Sequence, residues 1–236
     1  MKRKLAVVLL ICISCHMGWA AQDFVWKSGQ NMKVVCDTTE APVVKVALDL
    51  LKRDCRSVLS GNISRSENTG NIYVGTWGES SVLQALAETR QLDVALLNEH
   101  KEAFLLNVLP DGRLIVAGSD KRGTAYGVLE LSRMMGVSPW EWWADAVPEK
   151  KEELRLPAGF RKLDYPQVAY RGIFINDEDW GLTPWSWKHY EPSERKGQIG
   201  PKTHARIFEL LLRLRANTFW PAMHECSIPF FFTEGN

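Results

Sequence analysis

Apolar and polar positions change period several times along the chain, and each change marks an element. Lys33-Val34-Val35-Cys36 is a short β-like run, and residues 37–42 (Asp-Thr-Thr-Glu-Ala-Pro) supply capping side chains and a proline suited to a first helical turn. Val43, Ala47, Leu51, Cys55 and Val58 then recur at spacings of four and three, which is one face of an amphipathic helix. Residues 61–70 read as a polar loop, 71–75 as a strand and 80–89 as a short helix. Two apolar runs, 103–109 and 113–117, flank Pro110-Asp111-Gly112, where proline presets φ and glycine accepts a positive one, so a hairpin is expected. Ser119 or Asp120 can cap a helix reaching Met135, with Ala125, Val128, Leu129, Ser132 and Met135 on one side; Gly136 ends it and Pro139 forbids resumption.

A loop-like stretch with three indoles follows, Trp140 to Asp145, which reads as a sugar platform or, preferably, as a wedge of one unit against the next. Leu154-Arg155-Leu156-Pro157 reads as an edge strand, and residues 161–166 as a linker. Residues 168–175 (Val-Ala-Tyr-Arg-Gly-Ile-Phe-Ile) form the next strand pattern and run straight into Asn176-Asp177-Glu178-Asp179-Trp180. A helix is expected over 202–215 with Ile207, Leu211 and Leu214 inward, then a strand over 217–223 ending in His224-Glu225. Strand, crossover helix and strand make a βαβ unit, which needs parallel neighbours. The fold class expected is α/β: a small N-terminal α+β sandwich domain over 21–165, then over 166–236 the first strand, helix and second strand of a (β/α)₈ barrel. Such a barrel takes about 250 residues, so the barrel is expected to be truncated, with the triple phenylalanine at 230–232 left uncovered.

Residues 1–20 read as a secretory signal: Lys2, Arg3 and Lys4, then an apolar run from Leu5 to Ser14, then small residues at Gly18 and Ala20. The run is shorter than the about 20 residues a spanning helix needs, and soluble export after Ala20, to the outside or the periplasm, is preferred over lipid modification at Cys15. The net charge of +1 with no basic block excludes nucleic acid and an anionic membrane surface as expected partners. Beyond the signal stand Cys36, Cys55 and Cys226; export permits a Cys36–Cys55 disulfide, but both sit in apolar patterns and buried free thiols are the preferred reading. Seven of the ten tryptophans follow residue 139, and aromatic faces stack on the C–H faces of sugar rings as readily as they pack a core.

In parallel α/β barrels reactive side chains collect at the carboxyl ends of the strands. Asn176, Asp177, Glu178 and Asp179 occupy that place after the first barrel strand, and His224 with Glu225 after the second. Sugar hydrolysis wants paired carboxylates, one protonated toward the leaving oxygen and one ionised. Asp177 and Glu178 are therefore the catalytic candidates, read for direct substrate contact ahead of acid or base duty and equally able to hold an arginine from a later barrel strand, while Asp179 equally reads as a helix cap. His224-Glu225 lacks a second histidine at helical spacing, so no metal is expected. The glycine-rich run 118–127 lacks the spacing of a phosphate or dinucleotide loop and reads as a helix start packed closely on a sheet.

Four blocks, in order, resemble glycoside hydrolase family 115: residues 118–127 (Gly-Ser-Asp-Lys-Arg-Gly-Thr-Ala-Tyr-Gly), 136–145 around Pro139-Trp140 and Trp142-Trp143-Ala144-Asp145, Tyr170-Arg171-Gly172 through Asn176-Asp177-Glu178, and 214–223 through Trp220-Pro221-Ala222-Met223. The resemblance implies an exported, inverting α-glucuronidase that removes glucuronic acid, often 4-O-methylated, from xylan side chains. It also implies a homodimer when full length and no cofactor. It places Asn176, Asp177 and Glu178 in the pocket and Trp220 and His224 beside it as substrate-binding residues. The remaining carboxylates and uronate-binding groups are expected beyond residue 236, so the chain alone is expected to be inactive. Two other readings stay open: a non-catalytic carbohydrate-binding chain, and a hexosaminidase-like glycosidase, since those enzymes also set a small α/β domain before a barrel.

Overall fold

The computed structural model describes residues 20–176 and 180–236 as a mixed α/β structure; the signal-like segment before Ala20 lies outside the described residues. Its centre is a six-stranded sheet made of β2 (Asn31–Cys36), β3 (Asn62–Ser66), β4 (Ile72–Thr76), β5 (Phe104–Val108), β6 (Leu114–Gly118) and β8 (Arg161–Asp164), in the order β3-β2-β4-β6-β5-β8. β3, β2, β4 and β6 run parallel, and β5 is antiparallel to both its neighbours. Strand side chains alternate between faces. Ile72, Val74, Leu114 and Val116 join one apolar cluster, and Tyr73, Ile115 and Ala117 join the other.

Helix α1 (Pro42–Leu59) and helix α4 (Lys121–Met134) cover the first face, and α2 (Ser81–Glu88) with α3 (Ala95–Glu99) covers the second. The predicted face of α1 is buried at Ala47, Leu51, Cys55 and Val58, while Val43 sits half-buried at its margin. Asp120, not Ser119, caps α4 by accepting from Arg122 N and Gly123 N at 3.0 and 2.9 Å; Ser119 Oγ instead accepts from Ala103 N. α4 is buried on all sides from Gly123 to Ser132, so its apolar stripe is wider than one face. The hairpin turns at Gly112 with φ +80°, as its composition requires. Cys36 and Cys55 are buried free thiols, with no bond between them.

Gly123 lets the start of α4 approach the sheet, because a Cβ there would lie 2.1 Å from the Ala103 carbonyl oxygen. Alanine would gain about 1 kcal/mol of helix propensity, but a clash with backbone forces the helix off the sheet, and such overpacking costs about 1–3 kcal/mol and more where backbone must move. Gly123→Ala is expected to lower stability by about 2 kcal/mol net, read as a lower thermal midpoint. An unchanged midpoint would show that the contact is slack.

Four expectations are corrected. Residues 62–66 form strand β3 rather than loop: the run Asn-Ile-Ser-Arg-Ser buries only Ile63, and an edge strand needs one apolar position and one partner. Residues 161–164 form β8 rather than a linker, paired to β5 from Phe104↔Asp164 to Asn107↔Arg161. Its charges hid it, yet Lys162 meets Glu130 at 2.7 Å, and Asp164 meets Arg215 at 2.6 Å. The strands expected over 168–175 and 217–223 are shorter, β9 (Gly172–Phe174) and β10 (Thr218–Trp220), paired in parallel through Thr218↔Gly172 and Trp220↔Phe174. Leu214 is exposed because α6 (Pro201–Arg213) ends before it; the helix buries Thr203, His204, Ile207, Leu210 and Leu211. β1 (Phe24–Lys27), which pairs with β7 (Glu153–Leu156) as a separate ribbon, and α3 carried too few periodic positions to be read.

Ion networks hold the βαβ segment to the six-stranded sheet and its helices. Arg213 of α6 binds Asp54 of α1, and Arg53 bridges Glu141 and Glu209. Arg215 joins Glu130 of α4 to Asp164 of β8 at 2.6 Å each. Glu102 accepts from Arg122, Arg171 and Asn217, tying down the residues that precede β9 and β10. Burial alone would raise the Glu102 carboxyl, but these donors outweigh it and hold it below its usual value. The expected wedge also forms. Trp142 packs edge-on to Trp143, Trp185 and Tyr190 and receives the Arg206 guanidinium 4.7 Å from its ring centroid, and Trp143 Nε1 donates to Arg206 O. Trp140 stays 48% exposed and takes no part in it.

Candidate active site

β9 and β10 are parallel neighbours, so their carboxyl ends form a common edge, while the residues at their amino ends are tied to Glu102. Ile175 N donates to Trp220 O at 2.9 Å, which places Asn176 one residue beyond the last cross-strand bond. Asn176 and Trp220 are therefore brought together, and both are exposed. The Trp220 ring sits 4.9 Å from that of Phe174, and its Nε1 donates to Met223 Sδ at 3.1 Å. His224 follows on the loop after β10, exposed, with Nδ1 3.3 Å from Cys226 Sγ. Asp177 and Glu178, the residues expected to be catalytic, and Asp179 with them, lie outside the described residues.

Two loops frame this edge and hold one another. The first leaves β9, carries the short helix α5 (Leu182–Trp185) and one π turn (Ser186–Tyr190), and reaches α6. Glu191 on it caps α6: its two carboxylate oxygens each accept a backbone N–H, from Lys202 and Thr203, at 3.0 Å. The second loop follows β10; Ile228 N donates to Gly197 O at 3.0 Å, and the buried hydroxyls of Thr183 and Ser227 meet at 3.2 Å. His204 is a structural histidine beneath them. Its Nδ1 lies 2.9 Å from Asn236 Oδ1, and its ring packs among Phe208, Phe219 and Phe230. Burial lowers its pKa, against the hydrogen bonds to Asn236 and Gly200, which favours the neutral ring.

One exposed tryptophan after the acidic run carries no assigned role in the sequence. Trp180, the first described residue after the acidic run, is 90% exposed. Its signal was available, a tryptophan directly following a carboxylate cluster, but composition alone does not separate it from the packed indoles of the wedge. Among the described residues no group of three or more His, Cys, Asp or Glu side chains is placed to hold a metal ion. No helix among them is long and apolar enough to cross a membrane.

The profile described as glycosyl hydrolase family 115 matches residues 163–234, the stretch holding β9, α6 and β10. A solved family GH115 4-O-methyl-α-glucuronidase with specificity for decorated arabinogalactans is 62% identical over 90% of this chain, with a TM-score of 0.86. The chain spans 28% of that enzyme's length. A β-hexosaminidase from Streptomyces plicatus aligns over 86% of this chain and 32% of its own at 15% identity and a TM-score of 0.49. A GH20 exo-β-N-acetylglucosaminidase from Vibrio harveyi aligns over 86% and 23% at 14% identity and 0.47. None of the curated proteins matches the sequence. Two findings agree where the candidate residues lie, one profile across the βαβ segment and one relative across nearly all of the chain: the chain belongs to glycosyl hydrolase family 115.

Proposed function

We propose that this chain forms part of an exported enzyme that hydrolyses the α-linkage of terminal glucuronic acid, 4-O-methylated or not, on a plant polysaccharide. The observation that carries the reading is the 62% identity to a 4-O-methyl-α-glucuronidase over 90% of the chain. Residues 166–236 are read as the opening strand, helix and strand of a (β/α)₈ barrel, following a separate α/β domain over 21–165. The parallel β9–β10 pair with its helix α6 supports that reading, as does the gathering of candidate residues at the carboxyl ends of the strands. A cleaved signal over residues 1–20 and a homodimeric full-length enzyme belong to the same proposal.

In this reading Asp177 and Glu178 act on the glycosidic bond, and Asn176, Trp220 and His224 bind the uronosyl ring. Inversion requires one carboxylic acid to protonate the leaving oxygen while a second carboxylate activates water on the opposite face, with the pair about 6.5–9.5 Å apart to admit that water. Asp177 and Glu178 are neighbours in sequence, so one of them serves as acid or base against a partner carboxylate from another strand, and the other orients substrate. No cofactor enters the scheme. The polymer is either the xylan expected from the resemblance or the decorated arabinogalactan on which the 62%-identical relative acts.

The test incubates the protein that carries this chain with 4-O-methylglucuronoxylan and with glucuronic-acid-decorated arabinogalactan. Released acid is followed by chromatography and its first-formed anomer by proton NMR. The expected result is release from at least one polymer as the β-anomer, lowered about ten-fold or more in Asp177→Asn and in Glu178→Gln, which corresponds to about 1.4 kcal/mol of lost barrier lowering. Absence of release from both polymers, or full activity in both variants, would overturn the reading.

A further inference from the structure

On the side of α1 turned away from α6, a cavity of about 210 Å³ opens between the helix and the edge of the six-stranded sheet. Its floor is apolar, formed by Val34, Leu48 and Ile63. Lys45, Lys52 and Arg65 stand around it with Asp37 and Asp49. Lys45, Asp49 and Lys52 follow one another at helix spacings of four and three, at which opposite charges normally pair. Among the described residues none of the three makes an ion pair within 4.0 Å. Asp37 is already committed: its two carboxylate oxygens accept from Ser80 Oγ, Ser81 N and Ser81 Oγ at the start of α2. Arg65 is anchored by a bond from Nη2 to the Cys36 carbonyl at 2.9 Å, which holds the guanidinium at the cavity wall with no other hydrogen bond among the described residues. The Cys36 thiol, which also lines the cavity, is pushed up to about 12 by burial, so it stays neutral and adds to the apolar wall.

An apolar floor with three cations, opposed by one uncommitted carboxylate, suits a compact ligand that has both an apolar face and a negative charge. A neutral sugar would leave the cations unanswered, and an inorganic anion would make no use of the floor. The volume is below the roughly 300–1,000 Å³ of a drug-sized pocket, which limits the occupant to about one ring. We propose that this cavity is a second, non-catalytic site for a single hexuronate residue, its C–H face on Val34, Leu48 and Ile63 and its carboxylate toward Lys45, Lys52 and Arg65. The identity of the sugar rests on the proposed α-glucuronidase function. Holding one uronosyl branch here raises the effective concentration of the other branches of the same polymer around the protein.

TROSY amide spectra of the ²H,¹⁵N-labelled protein that carries this chain, titrated separately with sodium D-glucuronate, D-glucose and sodium acetate at constant ionic strength, test the site. Saturable shifts at Lys45, Lys52, Ile63 and Arg65 are expected with glucuronate, and affinity about five-fold or more weaker with glucose and with acetate. Lys52→Ala and Arg65→Ala are each expected to weaken glucuronate binding about five-fold, with the remaining spectrum unchanged. Should either variant lose its dispersed spectrum, Lys45→Ala carries the same expectation. Equal response to acetate would make this a general anion site, and equal response to glucose a merely apolar one; either result, or no saturation, overturns the proposal. Its failure is separable from failure of the catalytic reading, which is measured by released acid.

Discussion

Replacing Arg213 by methionine is expected to lower the unfolding free energy by about 4 kcal/mol. Its Nη1 and Nη2 donate to the two oxygens of Asp54 at 2.8 and 2.9 Å, and the side chains are only 4% and 3% exposed. Solvent screening is therefore slight, unlike that of the surface pair Arg155–Asp23, whose side chains are 49% and 35% exposed. Removing the cation strands the Asp54 carboxylate out of water and leaves Glu209, 3.1 Å from Arg213 Nε, with Arg53 and Arg206 as its remaining partners. The double variant Asp54→Leu/Arg213→Met is expected to recover most of the loss, because two packed apolar side chains avoid the stranded charge. Urea unfolding of the parent, both single variants and the double variant closes the cycle. Strict additivity would show that the two residues do not act as a unit. Because Asp54 lies on α1 and Arg213 on α6, the same measurement reports how strongly the βαβ segment is held to the rest of the chain.

Acid is expected to cost the fold up to about 3 kcal/mol through Glu130 alone. Burial by itself would raise this carboxyl, whose side chain is 1% exposed, but hydrogen bonds from Arg133 and Lys162 and the charge of Arg215 outweigh it and bring it to about 2. A carboxylate depressed in the folded state contributes stability that is complete above its unfolded pKa, near 4.5, and is lost as pH falls from there toward 2. Arg133, Lys162 and Arg215 are partly in water, 56%, 29% and 30% exposed, so the figure of about 3 kcal/mol is an upper one. Glu102 and Glu209 are lowered in the same direction and steepen the same limb. Unfolding midpoints measured from pH 7 to pH 2.5 should fall most below about pH 4.5. Glu130→Gln should be less stable at neutral pH and show a shallower acid limb, the two curves converging near pH 2. Parallel curves would mean that Glu130 is not the group responsible.

How much was legible in the sequence follows from what each signal encodes. The start of α1 at Pro42, the turn at Gly112 and the end of α4 at Gly136 depend on a few adjacent residues and are legible at their places, whereas the choice of Asp120 over Ser119 as the α4 cap is not. β3 and β8 were missed because their stability lies in a partner: Asn62–Ser66 pairs with a strand about thirty residues earlier, and Arg161–Asp164 with one more than fifty residues earlier. Leu214 and the ends of β9 and β10 were overestimated because apolar composition continues after the hydrogen bonding stops. For the candidate site, Asn176 and Trp220 were legible as strand-end residues, and the Ile175–Trp220 bond places them on one edge. Trp180 was not, since exposure is a property of the packed molecule rather than of a residue type.

By itself, then, the sequence determined the local devices of this protein and its membership of a family, because caps, turns and motif blocks are written in neighbouring residues. Only the tertiary structure decided which polar segments become strands and which charges face one another. Arg213 with Asp54, Arg215 with Glu130 and Asp164, and Arg171 with Glu102 are separated by 159, 85, 51 and 69 residues, and nothing in their surroundings along the chain announces the pairing. Charges so distant are brought together only by the packed tertiary structure, which takes Arg213 and Asp54 out of water together and sets Arg171 and Arg215 beside the amino ends of β9 and β10.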